Sequence, residues 1–442
     1  MVLVASRRYI QDGQLLTELT APYNRLLWAT ISQMPQTYHN TKALALLCTW
    51  PIPMISPISS TNGHEKVGKG LSRLGLGEID PAFMLSGIMM QIAIQTGIHR
   101  SSHAQDFIEQ VRNVTQAERD DRQLTWAVCN IVSQRFVTEA MLRSFQLTNA
   151  SVTISYGHPS RSIYDWNLAS TIVAQDHSYF LEIEHRLKIE KFCDKMTRSL
   201  YGNSSELVGL VQKDQLSAVL SSLNLELQQL DELSTNFSRK LLLNPGLSIV
   251  HPNFCHQFSL LTFKASNNLS LLAAKVHFNA FTFFMPSTSS LHIGLISAAY
   301  NASILFIQCV IDPDMHSGTF LHHCTNYILR TVLSASCMLL KILNSTQATH
   351  LDTTQGRTMF NASILAMRSI SLKKNDFPDR AAEAQTRMWR AAGGGLDVQK
   401  NALRVPPRDN SDPLVLRIRS RMCVSHVYDC VWRTINMQQT GE

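Results

Sequence analysis

Four groups of residues have types and spacings that could do chemistry. The run Gly63-His64-Glu65-Lys66-Val67-Gly68-Lys69 fits the first seven positions of a phosphate-binding loop. Its eighth position is Gly70, so the hydroxyl that would hold magnesium is missing. Pro51, Pro53 and Pro57 stand where the preceding strand should be. The backbone cradle needs a strand, a loop and a helix N-terminus, so nucleotide binding is not expected. His99 and His103 are four apart with Asp106 nearby, a spacing that could put three metal ligands on one helical face. No Glu follows His99, and Gly97 ends the helix just before it, so ordinary capping and surface roles are the better reading. His322 and His323 point about 100° apart on a helix, which sends one to the core and one to a polar neighbour. Arg417, Arg419, Arg421 and Arg433 make the densest basic patch; a phosphate or acidic-partner contact competes there with a solvated helix face bearing local ion pairs, and the second is favoured.

Other catalytic signatures are missing. No Gly-x-Ser-x-Gly elbow occurs. No Gly-x-Gly-x-x-Gly follows a strand. Carboxylates are sparse in the apolar regions, so no buried acid pair can be read. The nine cysteines include no Cys-x-x-Cys, which argues against a zinc ribbon or a redox dithiol motif. Most sit in apolar runs, as buried free thiols in a reducing compartment do. No catalytic, cofactor-binding or metal-ligating residue is therefore assigned, and no enzyme is expected.

The 442 residues are 45% hydrophobic and 17% charged, enough apolar side chain for a large core and too little charge for a disordered chain. The formal net charge is +7. Residues 368–442 hold 13 Lys and Arg against 8 Asp and Glu, while the rest of the chain is nearly neutral. A whole-surface grip on nucleic acid is therefore not expected. No signal peptide is legible before Arg7 and Arg8. Val276 to Ile311 runs 36 residues without a charge, long enough to raise a membrane span. Pro286, the Ser/Thr cluster at 287–290, His292, Asn301 and Gln308 favour a buried core helix instead.

Helical signals dominate, and strand signals are confined to Ser151–Tyr156. Asp80-Pro81 reads as a cap and first turn, Met84 to Ala93 as a helix, and Gly97 as its stop. Further helices are expected at 42–50, 118–147, 177–198, 257–284, 291–311, 318–344, 356–371, 378–392 and 413–436, the last started by Asp412-Pro413. Residues 206–243 carry Leu216, Leu220, Leu223, Leu227, Leu230 and Phe237 at a and d positions, with Ser234 in the missing slot. A dimeric coiled coil and a helix packed inside one chain are both consistent, and the second is favoured. Loops are expected near 56–78 and 397–412. The fold class is all-α, a large irregular helical bundle.

Leu46-Leu47-Cys48-Thr49-Trp50-Pro51-Ile52-Pro53 closes an apolar helix on a Trp-Pro pair. After a loop come Asp80-Pro81, a helix, Gly97-Ile98-His99-Arg100 and Ser102 to Phe107. Late in the chain stand Arg417 to Met422 and Val427 to Trp432; Val2 to Tyr9 adds an early match. In this order and separation the blocks resemble the regulatory middle homology domain of fungal zinc-cluster (Zn2Cys6) transcription factors. The subgroup is that of the leucine-synthesis, weak-acid-resistance and secreted-protease regulators. The resemblance spans nearly the whole chain, so residues 1–442 are expected to be one regulatory domain.

The resemblance implies a nuclear transcription regulator of a metabolic, protease or secondary-metabolite gene set. It implies transcriptional co-regulators as partners, with a homodimer and a small-molecule effector compatible with it and no membrane. In the family, zinc sits in an N-terminal cluster of six cysteines. The spacing here supplies none, so the zinc-cluster DNA-binding domain is expected to be missing, by a truncated gene model or in a natural variant. DNA would then be reached only indirectly, and no cofactor belongs to this chain. An all-helical enzyme with an unrecognised site, or a membrane-associated helical protein using 291–311, are the alternatives.

Overall fold

The computed structural model describes residues 15–33, 36–50, 82–100, 114–140, 178–203, 206, 209–243, 259–285, 292–312, 320–372, 374, 376–392, 412–419 and 421–439. Among them the chain forms thirteen α-helices and no strand. The fold class is all-α, as the periodicity predicts. The phosphate-loop-like run, His103, Asp106, the 56–78 loop, most of the 397–412 loop and the 151–156 segment lie outside the described residues.

The first four helices make a cluster of their own. They are α1 (Leu15–Ser32), α2 (Tyr38–Thr49), α3 (Ala82–Gln95) and α4 (Gln116–Ala140). Helices α2, α3 and α4 pack on one another around Met89, Ala93 and Cys129, all fully buried. The stop after α3 is local chemistry: Gly97 takes φ +69°, a conformation in which a side chain would be strained. Ala127 and Ile131 of α4 then meet Leu187 of α5 (Ser178–Leu200), which joins this cluster to the rest.

The larger core is built from α5, α6 (Lys213–Leu243), α7 (Ser259–Asn279), α8 (His292–Ile311), α10 (Asn326–Leu343), α11 (Thr353–Ser369), α12 (Phe377–Ala391) and α13 (Ser425–Gln439). A single turn, α9 (Phe320–His323), precedes α10. Helix α10 lies at the centre, against α7, α8, α11, α12 and α13. Nearly every residue in it is buried, the polar Thr331, Ser334, Ser336 and Lys341 included, as a central helix requires. Caps fix the helices that surround it. The Asp352 carboxylate accepts the N–H groups of Thr354 and Gln355 at the start of α11. The Asp376 carboxylate accepts that of Asp379 at the start of α12, where Pro378 occupies the first turn. At the crossing of α8 and α11, Gly356 lets Tyr300 and Leu343 approach so closely that a Cβ there would sit 2.9 Å from both.

Helices α8 and α10 are long and apolar enough to cross a membrane. Half of the apolar window in α8 and 83% of that in α10 are buried against the rest of the chain. Phe281, Phe283, Phe284 and Phe306 are likewise core residues.

The heptad leucines of α6 are covered from within the chain. Leu216, Leu220, Leu223, Leu227 and Leu230 are all buried against α5 and α7. The polar slot has a reason: the Ser234 hydroxyl donates to Asn268 Oδ1 of α7 at 3.2 Å. Two ion pairs flank the seam, Lys195–Glu226 at 2.6 Å and Lys275–Asp231 at 2.8 Å.

Two expectations need correction. No helix begins at Asp412-Pro413; residues 412–419 form turns and irregular backbone, a 3-10 turn covers Met422–Val424, and α13 starts at Ser425. The 318–344 helix is broken at Cys324-Thr325 into α9 and α10, and both His322 and His323 are exposed rather than one facing the core. Their turn is held from elsewhere: the Trp50 indole N–H donates to the His323 carbonyl at 3.1 Å.

Candidate functional site

Two places have the charge or the space to do more than pack. The first is a buried polar seam between α10 and α13. Along it Ser334 meets His426, the Cys430 thiol donates to the Cys337 carbonyl, and Lys341 meets Asp429. Lys341 Nζ donates to Asp429 Oδ2 at 2.5 Å. Arg433 Nε donates to the same oxygen at 2.9 Å, and the Arg417 amide donates to Asp429 Oδ1 at 2.8 Å. Burial alone would raise the Asp429 carboxyl; Lys341, Arg433 and the Arg417 amide outweigh it and hold the group below its ordinary range. Asp429 therefore stays ionised in the core.

His426 stands one turn before Asp429, with Nε2 2.9 Å from the Ser334 carbonyl and 3.1 Å from the Ser334 hydroxyl. A carbonyl only accepts, so Nε2 carries the proton and has no lone pair for the hydroxyl. The pair thus fails as a nucleophile and its base. Burial pushes His426 down to about 3 and His277 of α7 to about 4, so both stay neutral. The second polar knot lies on the other side of α10. Gln385 Nε2 of α12 donates to Ser336 Oγ at 2.5 Å and to Ser363 Oγ of α11 at 3.4 Å.

The second place is an open cleft of about 550 Å³ between α5 and α6. Lys188, Lys191, Lys195 and Arg198 give it a cationic rim, and Phe192, Leu230 and Leu233 an apolar floor. Arg198 pairs with Asp194 at 2.9 Å and Lys195 with Glu226. Lys188 pairs with Glu184 at 2.8 Å, so three of these four cations already face carboxylates.

The residues singled out by sequence are not gathered here. His99 is buried beside Trp126, ring centroids 6.0 Å apart, and its pKa is lowered mainly by burial. Among the described residues no group of three or more His, Cys, Asp or Glu could hold a metal ion. The basic block is stitched into the fold. The Arg417 guanidinium lies 4.9 Å from the Trp432 ring centre and that of Arg421 lies 5.4 Å from Tyr428. Arg433 also donates to the Val415 carbonyl at 2.8 Å. Sequence reading missed Lys341, Asp429, His277, His426 and Gln385. The available signal was that Asp429 is the one acidic residue between 413 and 441, in an otherwise apolar and basic stretch.

No family model matches the chain, and no solved structure matches it. Among curated proteins it is similar to Regulatory protein LEU3 of Saccharomyces cerevisiae, 22% identical over 409 residues. The alignment covers 89% of this chain and 40% of that protein, so the chain spans well under half the length of the relative it matches. The similarity is distant yet runs through nearly all of this all-helical chain, and it supports a relationship to the fungal transcription factors.

Proposed function

We propose that this chain is the helical regulatory body of a nuclear transcription regulator of the fungal zinc-cluster class. The similarity to a regulatory protein over 409 residues carries this reading. The all-helical fold of the described residues is in keeping with it. The body works by conformational relay: an effector or co-regulator with different affinity for two arrangements shifts the population between them. A small-molecule effector is part of this reading, and the α5–α6 cleft is the place where one would sit. Residues 1–442 act as one regulatory domain, and DNA is reached only indirectly or through a domain that these residues do not include.

The test is a transcriptional fusion. Joined to a heterologous DNA-binding module in yeast, the chain should change output from a reporter bearing that module's sites, and the fusion should be nuclear. An unchanged reporter, with fusion protein present in the nucleus, rejects the reading. The chain alone should give no sequence-specific shift with DNA fragments; a tight complex resistant to moderate salt would contradict it.

A further inference from the structure

Among the described residues the apolar core falls into two bodies with no member in common. One is made only by α1–α4 and the other only by α5–α13 and the turns between them. Each is tied internally by polar contacts. In the first, the Asp121 carboxylate of α4 takes Lys42 and Tyr38 of α2 at 2.6 and 3.0 Å. Arg122 Nη1, also of α4, donates to the Thr96 carbonyl just after α3 at 3.2 Å. In the second, Lys341 meets Asp429, and the Tyr201 hydroxyl donates to the Arg419 carbonyl at 3.1 Å. Between the two lies a separate small cluster: Ala127 and Ile131 of α4 against Leu187 of α5, with Ile183 half-buried beside them. Helix α4 also touches α10. We propose that α1–α4 is a module that parts from the α5–α13 body at the Ala127–Ile131–Leu187 joint while both cores stay folded, and that the hydrogen bond between Trp50 and His323 is its latch.

The apolar area lost on parting is small beside what holds each body together, and proteins open first where the least surface must be exposed. The joint is also polar at its edge. Arg186 and Glu190, neighbours of Leu187 along α5, form a buried pair at 2.6 Å, with both side chains 7% exposed. Contacts between bodies that move relative to one another are more polar than a core in this way. The latch spans the same division. The Trp50 indole N–H, just past the end of α2, donates to the His323 carbonyl in the turn before α10 at 3.1 Å. That bond lies at the surface, so water takes up both groups when it breaks and neither is stranded. Closed and parted forms give the chain two arrangements of the same folded pieces. They follow from the packing alone and hold whether or not the chain regulates transcription.

The full chain carrying Ala127→Cys is treated with N-ethylmaleimide in native buffer, and labelling of each thiol is followed by peptide mass spectrometry. Cys48 of the first core and Cys193 of the second, 2% and 5% exposed, bracket Ala127 at 3% and serve as internal references. The thiol placed at position 127 should be labelled at least about tenfold faster than either reference, because the joint opens more often than the cores do. Trp50→Phe keeps a ring but removes the donor. It should speed labelling at position 127 by a further factor of about two to ten and leave Cys48 and Cys193 unchanged. Labelling at position 127 no faster than at the references overturns the parting, since the joint then opens only when the chain unfolds. An effect of Trp50→Phe that is absent, or shared by all three thiols, overturns the latch. Leu187→Cys, on the opposite wall, should behave as Ala127→Cys does, and it decides alone if Ala127→Cys loses its helical circular dichroism.

Discussion

Lys341 and Asp429, 88 residues apart in the chain, meet at 2.5 Å with side chains 2% and 0% exposed. Two charges so deep are held by each other and by two further donors to the same carboxylate, Arg433 Nε and the Arg417 amide. Such a pair adds little net stability over an apolar pair of the same shape, but losing one member strands the other.

Lys341→Met or Asp429→Leu alone should therefore lower unfolding stability by about 3–5 kcal/mol. Lys341→Met with Asp429→Leu should lose less than either single variant, because no charge is then stranded and Arg433, 15% exposed, can turn toward water. Urea unfolding of the four proteins checks this. A double variant that loses the sum of the singles would show that the pair is not coupled.

Acidification should weaken the fold in a definite window. His277 and His426 are pushed by burial from 6.5 to about 4 and about 3. The unfolded chain protonates them first, so stability falls as pH drops below about 6.5. Between pH 7 and 5.5 each of these two should cost about 1 kcal/mol, and His277→Gln should remove that share of the slope. Asp429, held low, keeps its contribution throughout that range and loses it only below about pH 4. Denaturation midpoints at pH 7.0, 6.2 and 5.5 separate the two effects; a flat profile would refute the burial of the neutral rings.

Gly356→Ala should destabilise by about 1–3 kcal/mol through overpacking. The added methyl meets Leu343 Cδ2 and the Tyr300 ring at 2.9 Å, and Tyr300 cannot retreat freely because its hydroxyl donates to the Asp352 carbonyl. Adding Tyr300→Phe should recover part of the loss by freeing the ring, as thermal unfolding would reveal.

Leu223→Ala should cost about 2–5 kcal/mol, since the side chain is buried between helices of one chain. The cost should be the same at 1 and 50 μM protein. A concentration-dependent midpoint would mean that a second copy shares the α6 seam.

Much of this architecture is legible because it is local. Apolar spacing finds α3, α8 and α10; Gly97 stops α3 by its positive φ; the leucine period finds α6, and the polar Ser234 hints at packing rather than a zipper. What cannot be read depends on distant partners. Asp412 does accept the Leu414 amide, as a cap would, at 3.0 Å. Yet the helix does not follow, because the Arg417 amide is taken by Asp429 and the Val415 carbonyl by Arg433. Tertiary bonds from α13 have overridden a local start signal. The same separation hides the seam itself: Lys341 looks like a basic residue near a helix end, and only the fold brings a carboxylate to it.

The order of synthesis gives the seam a temporal meaning. Helix α10 leaves the ribosome with Lys341 facing a space that no acid yet fills, and its counter-ion is made 88 residues later. Until then the centre of the body carries an unanswered charge and must stay loose or wet. The arrival of α13 is thus the closing event of assembly, and a chain cut before Ser425 would be left as a client for chaperones rather than as a smaller working protein.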